Sequence, residues 1–213
     1  MKRGTFIAFE GGEGMGKSTQ ARLLCDALEK RGIDVVATRE PGGTPGAEAI
    51  RELLLAPPGE GWGPQAEALL FAAARADHVQ RLIKPALDQG KWVICDRFID
   101  SSRAYQGAAG ALGDAAVRQL HEIGSANLLP DITIVIGAES EEVSRRLRAR
   151  DGDSSDAIGG RDHIYHSKVN SAFDGFVTAE PARFLRVAGD GTVEEVHARL
   201  MRALVPMLKD LRP

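Results

Sequence analysis

Short apolar runs alternate with longer segments in which apolar residues recur every three or four positions. A near-continuous apolar run is typical of a strand buried on both faces, and a repeat near 3.6 residues indicates an amphipathic helix. The alternation predicts an α/β fold built from right-handed βαβ units, with a five-stranded parallel sheet and helices on both faces. The predicted strands are Thr5–Phe9, Asp34–Thr38, Trp92–Asp96, Asp131–Ile136 and Phe184–Val187.

The longest helical pattern, from Pro64 to Gln89, presents two different faces. One is an apolar stripe predicted to face the core, made of Leu69, Ala72, Ala76, Val79 and Ile83. Phe71, Arg75 and His78 share another face at about 100° per residue. An aromatic ring beside a guanidinium there would offer a planar ligand a wall and a hydrogen-bond donor. From helical spacing alone, however, we favour the alternative of a half-buried Phe beside a solvated Arg.

Composition places the chain among ordinary globular proteins. Its 213 residues, 43% of them hydrophobic, predict one domain over residues 1–213 with a substantial core. A net charge of −3 offers no general attraction to nucleic acid or to an anionic membrane, so neither is an expected partner. Cys25 and Cys95 fall in buried-looking segments, which predicts reduced core thiols and a cytoplasmic location. The amino-terminal apolar run is too short for a signal peptide, and no membrane span is expected.

Residues 11–18 read Gly-Gly-Glu-Gly-Met-Gly-Lys-Ser and match the pattern G-x-x-x-x-G-K-[ST] between a strand and a helix. Glycines let backbone N–H groups surround phosphate oxygens, Lys17 can reach the outer phosphates, and Ser18 can enter a Mg²⁺ shell. A chance Gly-rich turn is the alternative, which the flanking strand and helix disfavour. The motif predicts a three-layer P-loop fold that binds a nucleoside triphosphate through Gly11, Gly12, Glu13, Gly14, Met15, Gly16, Lys17, Ser18 and Thr19.

Charged residues also end the second and third strands. Asp96 and Arg97 follow a buried run, where they predict a Mg²⁺ ligand and a phosphate-binding guanidinium, although a salt-bridged pair is the structural alternative. Arg39 precedes a Pro-Gly-Gly turn at the same edge of the sheet. Two anion sites in one crevice favour phosphoryl transfer between two phosphorylated molecules over simple hydrolysis.

A cluster of arginines flanks a polar stretch near residue 151. A mobile lid over about residues 148–162 would exclude water and bring positive charge to the transferred group. The alternative is a solvated helix face paired with Glu141 and Glu142, which we favour for Arg145. The residues for which we favour the lid function are Arg148, Arg150 and Arg161.

Four longer motifs make the chain resemble the bacterial thymidylate kinases, which phosphorylate dTMP to dTDP with ATP and Mg²⁺. The resemblance covers nearly the whole chain. Its last two runs are much more specific than the phosphate loop, and together they separate this family from adenylate, guanylate and shikimate kinases. The motifs are residues 9–20, residues 38–44, residues 70–76, and residues 96–98 together with 101–107.

The resemblance implies roles for individual residues. Phe71 would stack on thymine, Arg75 would donate to thymine O4, and Arg39 and Arg97 would hold the dTMP phosphate. Glu13 would lie near the acceptor sugar, and Ser102, Tyr105 and Gln106 would line the nucleoside pocket. Lys17 would bind the ATP phosphates, and Ser18 with Asp96 would serve Mg²⁺. The family's usual state also implies a homodimer packed through helices such as residues 64–89.

The lid departs from the family's usual pattern. One form of the family carries its catalytic arginine in the phosphate loop and the other carries it in the lid. The phosphate loop here has Gly14 and Met15 beside Glu13, which implies the lid form, yet the position of the expected lid arginine is Ala157. We therefore predict that Arg161 or Arg150 replaces it, so that the predicted catalytic set is Lys17, Arg97, Arg150 and Arg161. A kinase of another small acceptor and a GTP-hydrolysing switch are the rival functions, but the chain has no Asn-Lys-x-Asp guanine motif.

Overall fold

The computed structural model describes residues 3–137 and 157–209. Five parallel strands form one sheet in the order β2-β3-β1-β4-β5. Each predicted strand is confirmed to within one residue at either end. The strands are β1 (Phe6–Glu10), β2 (Val35–Arg39), β3 (Trp92–Asp96), β4 (Ile132–Gly137) and β5 (Phe184–Ala188).

Helices connect the strands and cover the sheet. Two π-helical segments, Val79–Ile83 and Arg103–Ala109, continue α3 and α5 without a break in the chain direction. The α-helices within the described residues are α1 (Lys17–Glu29), α2 (Pro45–Leu55), α3 (Pro64–His78), α4 (Lys84–Asp88), α5 (Ile99–Ser102), α6 (Asp114–Ser125), α7 (His163–Ala179) and α8 (Val193–Lys209).

The central strand explains why the apolar runs are continuous. In β1, Ile7 and Phe9 pack into a cluster with residues of α1 and α8, while Phe6 and Ala8 pack into a second cluster with residues 79–87. All four side chains are fully buried, because successive side chains of a strand point to opposite faces and both faces carry helices. The predicted three-layer α/β architecture is confirmed.

The predicted apolar stripe of the long helix is wrong at Leu69. Val79 and Ile83 are buried, but Leu69 is 56% exposed, whereas Arg75 and His78 are buried. The polar face turns inward because its side chains find partners there. Arg75 Nε donates to Glu40 Oε2 at 2.7 Å, and His78 Nε2 lies 2.7 Å from Thr38 Oγ1. Arg75 is therefore not a solvated residue.

Both cysteines are free thiols, as predicted, and both are buried. Burial, with help from Glu29 and Asp26, raises the pKa of Cys25 to about 11, and burial also raises the pKa of Cys95. The two thiols therefore stay protonated near neutral pH, and the sulfur atoms act as core residues. Among the helices that the structure describes, none has the length and apolar character needed to span a membrane.

A buried ionic cluster fixes α7 against the sheet. Asp100 is fully buried and accepts hydrogen bonds from Arg103, Arg183 and Thr133. Glu180, which follows α7, accepts from Arg103 and Arg183 in turn. Buried charges are tolerated when each is paired in this way. The cluster therefore anchors the carboxyl end of α7, which Glu180 directly follows.

Candidate active site

A crevice of about 330 Å³ lies at the carboxyl ends of β1, β2 and β3. Register places Asp96 level with both Phe9 and Arg39, so the three strand ends meet there. Ten predicted site residues line it, namely Glu13, Lys17, Ser18, Arg39, Phe71, Asp96, Arg97, Ser102, Tyr105 and Gln106. Ligands bind in open α/β sheets at this position, where connections leave the strands in opposite directions.

Backbone conformation shapes the loop between β1 and α1. Gly11, Gly14 and Gly16 have φ angles of 133°, 70° and 84°, which favour glycine. A Cβ at Gly11 would also lie 2.4 Å from the backbone oxygen of Ile136. α1 begins directly after the loop, at Lys17, so its free N–H groups face the crevice. The Met15 side chain is buried in the core, so its backbone alone is available for phosphate.

Lys17 is the buried cation of the phosphate loop. Its ammonium group donates to the backbone oxygen of Gly12 at 2.6 Å. Burial, and after it the charge of Arg97, lowers the pKa of Lys17 to about 8, although Glu13, Asp96 and Glu10 act in the opposite direction. A buried ammonium with so few partners is well suited to phosphate oxygens, which would replace the lost hydration.

Ser18 and Asp96 form a pair of oxygen donors beside Lys17. The Ser18 hydroxyl donates to Asp96 Oδ2, and Asp96 Oδ1 is buried without a hydrogen-bond partner among the described residues. An unpartnered carboxylate oxygen is costly unless a cation or water completes it. Mg²⁺ prefers oxygen ligands and keeps several waters, so these residues fit it. Within residues 3–137 and 157–209, no group of three or more His, Cys, Asp or Glu offers an all-protein metal site.

Arg97 connects the phosphate loop to the other half of the crevice. Its guanidinium contacts Glu13 Oε1 at 2.5 Å, the backbone oxygen of Gly11 at 3.2 Å and Ser101 Oγ at 3.0 Å. The same group lies 5.2 Å from the centre of the Tyr105 ring. Arg97 also has a φ of 69°, an uncommon conformation for a residue with a side chain. Contacts from both halves of the crevice therefore fix the position of the Arg97 guanidinium.

Glu10 holds the turn that carries Arg97, a role that the sequence did not predict. Its buried carboxylate accepts from the Phe98 and Ser101 N–H groups at 2.8 and 2.9 Å and from Ser101 Oγ at 2.6 Å. Burial, and after it the charge of Asp100, raises the pKa of Glu10 to about 7. Arg97 and these hydrogen bonds act in the opposite direction. The only sequence signal for this role is that Glu10 lies at the end of a buried apolar run.

Arg39 lies on the wall opposite the phosphate loop and is ion-paired at the surface. Its Nη2 contacts both carboxylate oxygens of Glu48, at 3.0 and 3.1 Å. Glu48 also accepts from the Gly43 N–H, which lowers the pKa of Glu48 despite some desolvation, and Arg39 lowers it further. The Pro-Gly-Gly turn therefore orients the Arg39 guanidinium through Glu48. An incoming phosphate would displace Glu48 from Arg39 or would bind Arg39 together with it.

Arg75 lies behind the crevice wall rather than on it. Besides its bond to Glu40, its Nη2 donates to Ser102 Oγ at 2.9 Å and to the Phe98 backbone oxygen at 3.3 Å. Phe71 and Ser102 line the crevice, but Arg75 is not among its lining residues. The predicted hydrogen bond from Arg75 to a base stays a prediction.

The lid residues divide into two groups. Arg145, Arg146, Arg148 and Arg150 lie outside the described residues. Arg161 contacts Glu67 and Tyr165 and lines a second cavity rather than the crevice. Ala157 N–H donates to the Leu55 backbone oxygen at 3.4 Å, and the buried Ile158 reaches the crevice wall. Residues 157 and 158, within the predicted lid, are thus docked against α2.

Six lining residues were not predicted as site residues: Glu40, Pro41, Arg51, Leu55, Ser101 and Ile158. Arg51 adds a third guanidinium, and its Nη1 donates to the Pro41 backbone oxygen at 2.7 Å. A basic residue on the helix after the Pro-Gly-Gly turn was a usable signal for Arg51. The apolar Leu55 and Ile158 had none, because their approach depends on the tertiary fold.

A phosphate loop at the end of β1, an oxygen-donor pair at β3 and three guanidinium groups in one crevice define a P-loop phosphotransferase. The family model for thymidylate kinase matches residues 9–200. A thymidylate kinase from Rhizorhabdus wittichii is 52% identical over 205 residues, which cover 96% of this chain and 99% of the relative. The chain therefore belongs to the thymidylate kinase family, whose reaction transfers the γ-phosphoryl group of ATP to dTMP and gives dTDP and ADP.

Further relatives agree with this assignment. A thymidylate kinase from a Bradyrhizobium species is 45% identical over 195 residues, covering 91% of this chain and 86% of the relative. The crystal structure of thymidylate kinase from Ehrlichia chaffeensis matches with a TM-score of 0.75 and 33% identity, covering 95% of this chain and 99% of that one. The predicted family, fold and enzyme class are thus confirmed.

Proposed function

We propose that this chain phosphorylates dTMP by holding ATP and dTMP at opposite sides of this crevice. The observation that supports this most is that Arg97 contacts Glu13 of the phosphate loop and Tyr105 of the opposite wall. ATP would lie with its phosphates on residues 11–19, and Lys17 would supply charge at the outer phosphates. The dTMP phosphate would lie between Arg39 and Arg97.

The nucleoside of dTMP would occupy the wall formed by Phe71, Ser102, Tyr105 and Gln106. Phe71 would stack on the base, and Tyr105 would crowd the 2′ position. To donate to the base directly, Arg75 would have to give up some of its present hydrogen bonds. Otherwise it would act through Ser102, to which it donates. A Phe71→Ala variant should raise KM for dTMP with little change in KM for ATP.

In phosphoryl transfer the protein mainly positions the reactants and stabilises charge on the transferred oxygens. Lys17 and Arg97 lie on the path between the two phosphate sites and would serve this purpose. Ser18 and Asp96 would hold Mg²⁺, which would neutralise charge on the ATP phosphates. The acceptor phosphate oxygen needs no strong base, which agrees with the absence of a histidine among the described crevice residues.

The lid would add a further cation from Arg150 or Arg161, with Arg148 as a third candidate. Arg161 would have to leave Glu67 and Tyr165 to reach the phosphates. Separate alanine variants at Arg148, Arg150 and Arg161 test this. At least one should lower kcat by about tenfold, which corresponds to about 1.4 kcal/mol of transition-state stabilisation, and smaller effects in all three would refute the lid hypothesis.

The direct test of the function is Mg²⁺-dependent ADP formation, coupled to NADH oxidation, with dTMP, dUMP, dCMP, dGMP and no acceptor compared side by side. We expect formation that depends strongly on dTMP. A purine should be rejected, because its edge would leave buried polar groups unpaired. Acceptor-independent ADP formation would instead favour a nucleotide triphosphatase, and efficient dGMP phosphorylation would refute the pyrimidine pocket.

A homodimer packed through helices and a cytoplasmic location complete the proposal. Leu53, Leu69 and Ile123 are 45%, 56% and 78% exposed and lie on α2, α3 and α6, which pack side by side. Exposed apolar residues on neighbouring helices are typical of a subunit interface. Leu69→Glu should shift the mass measured by light scattering toward the monomer, whereas Ile164→Glu, an exposed control on α7, should not. A wild-type chain that is monomeric at micromolar concentration would refute the dimer.

A further inference from the structure

Gln106 forms part of the wall between the crevice and a second cavity of about 240 Å³. Arg161, Glu67 and Tyr165 line the second cavity on its other sides. One side chain thus belongs both to the proposed nucleoside pocket and to a cluster that contains two charged residues.

Glu67 determines which end of the Gln106 side chain faces the second cavity. Gln106 Nε2 donates to Glu67 Oε1 at 2.8 Å, and both side chains are buried. The other Glu67 oxygen contacts the Arg161 guanidinium, which also donates to the Tyr165 hydroxyl. A carboxylate can only accept hydrogen bonds. Gln106 must therefore turn its amide nitrogen to Glu67, which leaves the amide oxygen on the opposite side.

The orientation of an amide side chain decides what it recognises. Carboxamide oxygen and nitrogen have almost the same shape, so neighbouring donors and acceptors select between the two orientations. Thymine and uracil carry an N–H at ring position 3, whereas cytosine has an unprotonated acceptor nitrogen there. A carboxamide oxygen that faces position 3 would accept from the first two bases and would oppose the acceptor of the third.

We propose that Glu67 is a specificity-determining positioning residue, which fixes the Gln106 carboxamide so that its oxygen meets the N3–H of the acceptor base and excludes cytosine. The proposal rests on the nucleoside pocket proposed above. Glu67 touches neither nucleotide and acts only through Gln106. In this structure Arg161 holds the other oxygen of the Glu67 carboxylate.

The test is Glu67→Gln, which keeps the size of the side chain but lets position 67 donate or accept. Gln106 can then present either end to the base. In steady-state assays we expect the ratio of kcat/KM for dTMP over dCMP to fall by about tenfold or more, because a lost donor–acceptor match has effects of this size or larger. The ratio for dTMP over dUMP should stay within about twofold, since both bases carry N3–H.

A double-mutant cycle separates this role from general destabilisation. In a Gln106→Ala background, Glu67→Gln should not change the dTMP to dCMP ratio further, because the residue through which it acts is absent. If dCMP turnover is too slow to measure, the inhibition constant of dCMP against dTMP gives the same ratio for binding. An unchanged dTMP to dCMP ratio in a folded Glu67→Gln protein would overturn the proposal.

Failure of this inference is distinguishable from failure of the proposed function. If the wild-type chain does not phosphorylate dTMP, or if Phe71→Ala leaves KM for dTMP unchanged, the pocket itself is wrong. If both of those tests succeed and Glu67→Gln still discriminates against dCMP as the wild type does, only the role of Glu67 is wrong.

Discussion

The two halves of the crevice are built by different means. The phosphate-loop half uses consecutive residues, 11–19, and its shape comes from backbone conformations that glycine permits. The opposite half takes side chains from β2, α2, α3 and the segment after β3. Several of them are oriented by carboxylates, such as Arg39 by Glu48 and Gln106 by Glu67. One half is a continuous motif, and the other exists only after the chain has folded.

The largest expected effect is on the phosphate-loop half. Lys17→Met should lower kcat/KM for ATP by about 1,000-fold, near 4 kcal/mol, because it removes the buried cation that meets the outer phosphates. Steady-state assays with varied ATP measure this. Lys17→Arg is the matched control, which keeps the charge and should retain part of the activity. A loss of less than about tenfold in Lys17→Met would mean that this half does not depend on its single cation.

The next prediction compares two glycines within that half. Gly11→Ala should lower the free energy of unfolding by about 3 kcal/mol or more, since its Cβ would strike the fixed backbone oxygen of Ile136. Gly16 also has a positive φ, but a Cβ there would meet no heavy atom within 4 Å. Gly16→Ala should therefore cost only about 1 kcal/mol of backbone strain. Urea unfolding measures both, and equal losses would contradict the steric explanation.

The third prediction concerns the pH dependence of stability that arises from Glu10. A carboxyl group whose pKa is raised in the folded state stabilises the protein below its unfolded pKa, and this stabilisation is lost as the pH rises through the folded value. With the pKa of Glu10 raised from 4.5 to about 7, the stability of the wild type relative to Glu10→Gln should fall between those pH values. The change should be at most about 3 kcal/mol.

Glu48 provides a control of opposite sign on the opposite wall. The pKa of Glu48 is lowered, so its stabilisation is present above pH 4.5 and is lost as the pH falls below that value. Relative to Glu48→Gln, the wild type should therefore lose stability toward acid. Urea unfolding at a series of pH values measures both differences. A Glu10→Gln protein whose stability runs parallel to the wild type from pH 4.5 to 7 would contradict the effect of burial at Glu10.

The smallest expected effect is the pH dependence of ATP use. The pKa of Lys17 is lowered to about 8, so the free enzyme loses this charge above that pH. The value of kcat/KM for ATP should then fall by about tenfold per pH unit, because this parameter reports ionisations of the free enzyme. In Lys17→Arg the decline should disappear from this range. A decline that persists in Lys17→Arg would assign the ionisation to another group.

The same contrast explains how far the sequence could be interpreted. Apolar runs located all five strands, and a contiguous motif located the phosphate loop, because both signals lie in neighbouring residues. The sequence did not predict Glu10 or Glu40 as site residues, since their partners are distant along the chain. It also placed Leu69 in the core, although ion pairing draws the polar face of α3 inward instead. Buried polar pairs therefore turn inward a helix face that hydrophobicity alone would assign to solvent.

The left-handed backbone of Arg97 has a consequence for protein engineering. Glycine adopts that conformation without the roughly 1 kcal/mol that a side chain costs there, so a design method that scores backbone geometry alone would prefer Gly at position 97. That choice would remove the guanidinium that spans both halves of the crevice. Position 97 is therefore one where selection for thermal tolerance and selection for turnover would favour different amino acids, and stabilised libraries of this chain should hold it constant.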